Sequence, residues 1–294
     1  VTILITGSTG QVGHELVTMR WPEEVAIVAP AREELDLSDA LSVGRLIADH
    51  AVSAVLNAAA YTAVDKAEKD VAAAFAANAL IPAALAQATC SAGIPLIHIS
   101  TDYVFDGKAT GAYEVDAPLN PLGVYGASKA AGEWAVRLGN PRSAIVRTSW
   151  VVSARRSNFV RTMLRLGFER DVVRVVQDQR GSPTLAADLA EALSVITMRM
   201  IADRDAPTGV FHFTNQGPTT WHDFAAAIFA ACREAGYPVP KLEAIRSADY
   251  LTPARRPANS ILSTARIERD YGLKPAPWRE RLPILVRDIL VNGF

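Results

Sequence analysis

Short runs of aliphatic and β-branched residues alternate with longer stretches whose apolar positions recur every three to four residues. The runs Thr2–Thr6, Glu24–Ala29, Ala54–Asn57, Pro95–Ile99 and Ser143–Thr148 read as strands. They are almost unbroken in hydrophobicity, as strands are when helices cover both faces of their sheet. Helical periodicity fills the gaps at Gln11–Arg20, Ala40–His50, Val71–Ala92 and Val124–Leu138. Strands alternating with helices predict parallel pairing through right-handed crossovers, and therefore an α/β fold with a doubly wound parallel sheet.

Beyond Trp150 the alternation loosens. Helices are expected at Asn158–Phe168, Leu185–Ile201, Thr220–Ala235 and Glu280–Val291, and strands at Val172–Val176 and Gly209–Thr214. Proline and glycine gather at 236–240, 253–257 and 272–277, which marks loops. The pattern suggests a first domain over 1–150 and a smaller α/β lobe drawn mainly from 151–294. That lobe is expected to be discontinuous, with some segments returning to the first sheet.

Composition narrows the function classes. Half of the 294 residues are apolar and the net charge is −1, which supplies a sizeable core and no basic excess for nucleic acid. The two cysteines, Cys90 and Cys232, fall inside Ala-rich helical stretches and read as small buried hydrophobes in a reducing compartment. No Cys/His spacing resembles a zinc site. The opening run Thr2–Thr6 is too short for the apolar region of a signal peptide, and charges are expected to interrupt every stretch of membrane-spanning length. A cytoplasmic protein with neither nucleic acid nor membrane as partner is the expectation.

Candidate chemistry begins where the first strand meets the first helix. Gly7, Gly10 and Gly13 stand there in G-x-x-G-x-x-G spacing. Gly7 suits a tight turn, Gly10 a close backbone approach to a pyrophosphate, and Gly13 close packing of helix on strand. The helix N-terminus adds free N–H groups and a positive dipole end, so 1–150 is expected to bind a dinucleotide and 151–294 its substrate. The second strand ends in Ala29-Pro30-Ala31-Arg32, without the acidic residue that would bind a ribose 2′-hydroxyl. Arg32 suits a 2′-phosphate instead, favouring NADPH over NADH. Asp36 and Leu37 suit the adenine side, Asp36 being equally suited to cap the next helix. The third strand runs into Ala58, Ala59, Ala60 and Tyr61, whose small side chains leave room for a ligand across the sheet edge.

The fourth strand leads to Thr101, Asp102 and Tyr103, and Tyr125 and Lys129 follow on one face of a helix. A phenol beside an ammonium is a proton donor for carbonyl reduction, because the positive charge lowers the phenol's affinity for its proton. A hydroxyl such as that of Thr101, aimed at the developing oxyanion, stabilises the transition state.

With these residues in place the chain resembles the extended short-chain dehydrogenase/reductase superfamily, and within it the dTDP-4-dehydrorhamnose reductase family. The runs LITGSTGQVG, NAAAYTAVDKAE, HISTDYVFDG, NPLGVYGASKAAGE, RTSWVV, VVQDQRGSPT and ARRPANSILS carry the resemblance over about the first 265 residues. It implies a Rossmann-like fold and NADPH-dependent reduction of the C4 ketone of a dTDP-linked 6-deoxy-4-hexulose. It also implies Thr101, Tyr125 and Lys129 as the catalytic set, and Gly7, Gly10, Gln11 and Val12 as the phosphate loop. Asp36 and Leu37 match adenine contacts, and Ala58, Ala59, Ala60 and Tyr61 the cofactor wall. Asp102, Tyr103, Trp150, Arg256, Asn259 and Ser260 match the substrate side, with Arg256 suited to a diphosphate.

Whether this chain forms a homodimer is left open, and some family members hold Mg2+ between subunits through clustered glutamates. Glu15 fits the first of these, but Ala187-Asp188 stands where a second Glu is expected, and no metal is assigned. Two other readings stay open. A sugar-nucleotide epimerase shares the fold and the Tyr/Lys pair, and a non-catalytic regulatory subunit resembling that of methionine adenosyltransferase shares the fold alone. A dehydratase is disfavoured because Asp102 is followed by Tyr103 and not by Glu.

Overall fold

The computed structural model describes residues 1–293. In chain order the first part runs β1 (Thr2–Thr6), α1 (Gln11–Thr18), β2 (Ala26–Val28), α2 (Ala40–Asp49), β3 (Val52–Asn57), α3 (Val71–Ser91), β4 (Leu96–Thr101), α4 (Val124–Gly139) and β5 (Ser143–Thr148). The remainder includes α5 (Phe159–Glu169), β6 (Val172–Val176), α6 (Ala186–Ala202), β7 (Gly209–His212), α7 (Trp221–Glu234), β8 (Lys241–Ile245) and α8 (Trp278–Asn292). Six strands form one all-parallel sheet in the order β7-β5-β4-β3-β1-β2. The chain starts at β1, winds outward to β2, then returns past β1 to build β3, β4 and β5, so a crevice opens at the carboxyl ends beside β1.

Alternation along each strand explains why both faces are covered. Ile3, Ile5, Ala54, Leu56, Ile97, Ala144, Val146 and Phe211 face a layer made by α1 and α6. Leu4, Val55, Leu96, Ile145 and Val210 face the opposite layer, where Val43, Ile47, Leu85 and Val136 of α2, α3 and α4 meet them. Side chains of successive strand residues point to opposite faces, so a strand buried on both must be apolar throughout. A third cluster lies apart from the sheet and unites Val160, Met163 and Leu164 of α5 with Phe224, Ile228 and Phe229 of α7 and Trp278, Leu282 and Val286 of α8. Residues after 150 thus serve two cores, since α6 and β7 complete the main sheet while α5, α7 and α8 form their own.

Several local readings need correction. The second strand is only Ala26–Val28, and β8 stands where no strand was expected, paired in parallel with β6. A third miss is the helix Ala265–Tyr271, which ends at Gly272 in the left-handed conformation. Val71–Ser91 carries no charge at all, and it is long and apolar enough to cross a membrane by length and composition. Here it packs against α2 and α4, burying Ala84, Leu85, Ala86 and Ala88. Cys232 is buried as expected, but Cys90 is exposed on the outer face of this helix.

Within α3 a π-helical turn at Ala76–Leu80 rotates the register and turns Asn78 inward. Its carboxamide oxygen accepts from Tyr61 N, while its amide donates to Tyr61 O and Ser128 Oγ. Gly132 of α4 lies directly on the Asn78 backbone, where a Cβ would come within 2.0 Å of the carbonyl oxygen. Gly132→Ala is therefore expected to destabilise the fold by about 1–3 kcal/mol through forced separation of α3 and α4. A urea unfolding midpoint equal to that of the unaltered protein would contradict this contact.

Candidate active site

The carboxyl ends of β1, β3 and β4 meet in the crevice, and each sequence motif ends there. Gly7 has φ +70°, the left-handed region that a glycine enters without strain. Any Cβ on it would lie 2.5 Å from Ala59 N, and one on Gly13 would lie 2.0 Å from Gly7 O. The turn is thus wedged between the Ala58–Ala59 backbone and the first turn of α1. Gly13 serves the packing of helix on turn rather than of helix on strand. Gly10, the N-cap of α1, supplies no side-chain bond and no acidic residue follows in the first turn, so the helix end remains a cradle for an anion. The phosphate groups of a dinucleotide fit this cradle.

Around it the expected cofactor residues fall into three groups. Val12 puts its side chain into the core beneath the cradle. Gln11 reaches across to the second lobe, where its amide donates to Val151 O at 3.4 Å and its carbonyl oxygen accepts from Ser153 Oγ at 3.0 Å. Ala58, Ala59, Ala60 and Tyr61 follow β3 along the rim, and Tyr61 donates its hydroxyl to Asp70. Arg32 is exposed beyond β2, and Leu37 packs against the second layer of the core. Asp36 turns its carboxylate onto Ser38 N and Oγ, which holds its pKa below the ordinary value. The helix that follows is capped by Asp39, which removes the capping role for Asp36. Sequence reasoning missed Arg156, whose Nε donates to Thr9 O at 2.7 Å from a cavity of about 680 Å³ that Arg155, Arg161 and His14 also line.

The three residues expected to act on a carbonyl converge. Thr101 ends β4, and Tyr125 and Lys129 rise from α4 beside it. Helix α4 sits this close because Gly126 has no side chain: a Cβ there would lie 2.1 Å from Tyr103 O. Glu68 caps the helix by accepting from Val124 N at 2.9 Å. Tyr125 packs edge-on against Tyr103, with ring centroids 5.4 Å apart. Burial raises the proton affinity of the Tyr125 phenol, the Thr101 hydroxyl bonded to it works the other way, and Asp102 and Tyr103 add to the increase.

Lys129 is held from the strand side. Its Nζ donates to Ile99 O at 2.7 Å and lies 3.4 Å from His98 Nε2. Burial brings its pKa down to about 8, against the opposing pull of Glu133. Each group is driven towards its neutral form by the same loss of water.

On the substrate side Asp102 is buried and one carboxylate oxygen, Oδ2, has no partner. Its Oδ1 accepts from Thr101 Oγ1 at 3.0 Å. Burial raises its pKa to about 6, against the opposing influence of the nearby Ser260 and Thr101 hydroxyls. Arg256 donates to Asp65 Oδ2 at 2.7 Å and to Tyr103 Oη at 3.3 Å, so its guanidinium bridges two lobes rather than standing open to a diphosphate. Asn259 turns its amide onto Ala109 O and Gly111 O and accepts from Ile261 N, which makes it a clamp on the neighbouring loop. Trp150, at φ +51°, stacks on Trp221 at 3.5 Å and covers Gly181. Gly107 lies against Pro257, where a Cβ would come within 2.6 Å. The STDYVFDG and RRPANS runs are therefore in direct contact.

Beneath the site Glu133 and Arg147 form a buried bidentate pair at 2.7 and 2.8 Å, with Ser100 donating to the same carboxylate at 2.6 Å. Sequence gave no sign of this pair, because a Glu and an Arg on separate elements look like solvated surface until the topology joins them. Asp188, beside the position suggested for a metal-binding Glu, accepts from Asn215 and lies 3.6 Å from Arg281. Arg147→Met is expected to destabilise the protein by about 3–5 kcal/mol by stranding Glu133 without its partner. Equal denaturation midpoints for the variant and the unaltered chain would show the pair to be dispensable.

Comparison with known proteins adds to the geometry. The family model for the RmlD substrate binding domain matches residues 1–291. A dTDP-4-dehydrorhamnose reductase from Aggregatibacter actinomycetemcomitans is 40% identical, covering 95% of this chain and 96% of its own. A crystal structure of a dTDP-4-dehydrorhamnose reductase from Clostridium acetobutylicum superposes with a TM-score of 0.90 at 35% identity, covering all of both chains. A second, from Bacillus anthracis in complex with NADP, gives 0.89 at 33% identity and covers 99% of each.

Proposed function

The chain belongs to the dTDP-4-dehydrorhamnose reductase family, and from that premise we propose that it uses NADPH to reduce the C4 ketone of a dTDP-linked 6-deoxy-4-hexulose, yielding dTDP-L-rhamnose. The reading is that of a cytoplasmic oxidoreductase of nucleotide-sugar biosynthesis. One observation carries it: Thr101, Tyr125 and Lys129 converge on the sheet edge that also holds the glycine cradle. The nicotinamide cofactor, when bound, supplies a hydride to the carbonyl carbon.

The protein's own residues supply the proton and the orientation. Reduction leaves negative charge on O4 of the sugar, and the Tyr125 hydroxyl gives that oxygen its proton. Burial keeps the phenol protonated until that charge develops, as an acid catalyst requires. Thr101 Oγ1 turns its proton from Asp102 Oδ1 to the same oxygen as charge develops, which favours the transition state over the bound ketone. Lys129, buried four residues from the phenol, orients the cofactor ribose and returns a proton to Tyr125. Asp102 offers its unpartnered Oδ2 to a sugar hydroxyl, a buried acceptor that a hydroxyl donor would satisfy. Trp150 forms an apolar wall for the sugar, and Arg256 meets the diphosphate by exchanging Asp65 for the ligand. The second core, around α5, α7 and α8, forms the scaffold of the substrate lobe.

Arg32 selects NADPH over NADH by pairing with the 2′-phosphate, and NADH remains a weaker donor. A homodimer fits the family reading, and no residue set here is assigned to Mg2+. An epimerase would return its cofactor to the starting state each cycle, whereas this reading consumes NADPH.

Tyr125→Phe is expected to bind NADPH as the unaltered enzyme does, yet to lose about 10²–10⁴-fold in kcat, because only the proton donor is removed. Single-turnover assays with NADPH binding followed by fluorescence test this, and unaltered turnover would refute the assignment. Arg32→Ala is expected to weaken NADPH binding at least about tenfold and NADH binding little, since a charge-assisted bond to phosphate is worth roughly 1.5–3 kcal/mol. Equal losses for the two cofactors would place Arg32 outside the site.

A further inference from the structure

A chain of buried polar groups runs behind the site from β1 to α4, and its directions can be read without ambiguity. Thr6 Oγ1 donates to Asn57 Oδ1 at 2.6 Å, and Ala59 N donates to the same oxygen at 3.1 Å. A backbone N–H is only ever a donor, so the Asn57 oxygen is fixed as the acceptor and its Nδ2 must face the other way. That Nδ2 lies 2.9 Å from His98 Nδ1 and donates to it. His98 therefore keeps its own proton on Nε2, and this N–H is directed at Lys129 Nζ, 3.4 Å away. His98, Asn57 and Lys129 are all buried. Nothing in the reduction chemistry described above uses His98 or Asn57.

We propose that His98 is a positioning residue for Lys129: held by Asn57 as the Nε2–H tautomer, it presents a donor to Nζ and so weakens the lysine's hold on its proton. An ammonium opposite an N–H donor meets like partial charges, whereas a neutral amine accepts from it. Nζ at the same time donates to Ile99 O at 2.7 Å. The other charged groups acting on Nζ are Glu133, which favours the ammonium, and Arg147, which is paired with Glu133. Burial, followed by the neighbouring lysine charge, holds the His98 imidazole neutral. The consequence for turnover is a lysine that is still protonated at neutral pH but gives up its proton more readily than an exposed one. It passes one proton to the Tyr125 phenolate left after each reduction, becoming an amine, and recovers that proton from solvent.

The inference deepens the proposed function, because it takes Lys129 as the partner of Tyr125. Its test is made on the cofactor-free full chain and involves no turnover, so the two can fail separately. Nitrogen-15 NMR of the unaltered protein is expected to show His98 protonated on Nε2 and bare on Nδ1. A proton on Nδ1 would overturn the proposal whatever the variants do.

In the second arm, the Lys129 side chain is titrated by carbon-13 NMR in His98→Leu and His98→Gln. Leu removes the donor, and the lysine midpoint is expected to rise by about one pH unit. Gln restores an N–H near the Nε2 position and is expected to bring the midpoint back down. A purely structural role predicts the opposite sign, since a more apolar neighbour would press the lysine further towards its neutral form. A midpoint in His98→Leu that is unchanged or lowered overturns the proposal. Should that variant fail to fold, the His98→Gln midpoint and the tautomer decide.

Discussion

The site depends on how closely α4 can approach the carboxyl end of β4. Tyr125, Lys129 and Glu133 occupy successive turns of one helix face, so a single docking event places all three. Two features secure it. Gly126 lets the helix backbone sit on Tyr103 O, and Glu133 locks onto Arg147 and Ser100 at the far end of the same face. A buried carboxylate and guanidinium are costly to desolvate, and they are tolerated here because five hydrogen bonds, including those to Ser100 Oγ and Val115 O and the contact with His212, surround them. The pair gives the helix one register on the sheet, and the Tyr125 phenol inherits that register.

The same loss of water acts on every titratable group in the crevice. It raises Tyr103 to about 12 and Asp102 to about 6, and lowers Lys129 to about 8. Among the described residues, the buried side-chain acceptor beside Thr101 that has no partner is Asp102 Oδ2. Such a pocket is matched to a ligand that brings its own hydroxyls and phosphates, each of which satisfies a group that water has been kept from.

The main sheet was legible in the sequence because its strands are apolar on both faces and its helices are amphipathic, so periodicity and order fixed the winding. The glycine turn was legible for a similar reason, since Gly7 and Gly13 answer to backbone contacts that admit no other residue. What stayed hidden depends on distant partners. The strand Lys241–Ile245 is short, half exposed and stabilised by its pairing with Val172–Val176. Asn78 turns inward through a π-helical turn that no residue type announces, and Asn57 and His98 look like ordinary strand residues until their hydrogen bonds are traced. Asn259 and Arg256 were found in the right loop, but the structure gives the first a clamping role and the second an ion pair.

The most direct measurement is turnover of the unaltered protein with NADPH and dTDP-4-keto-6-deoxy-L-mannose, followed together by NADPH absorbance and by NMR of the sugar. The account predicts one NADPH oxidised for each ketone lost and a product spectrum of dTDP-L-rhamnose. Conversion of the sugar without net loss of NADPH, or NADPH binding with no conversion at all, would contradict it.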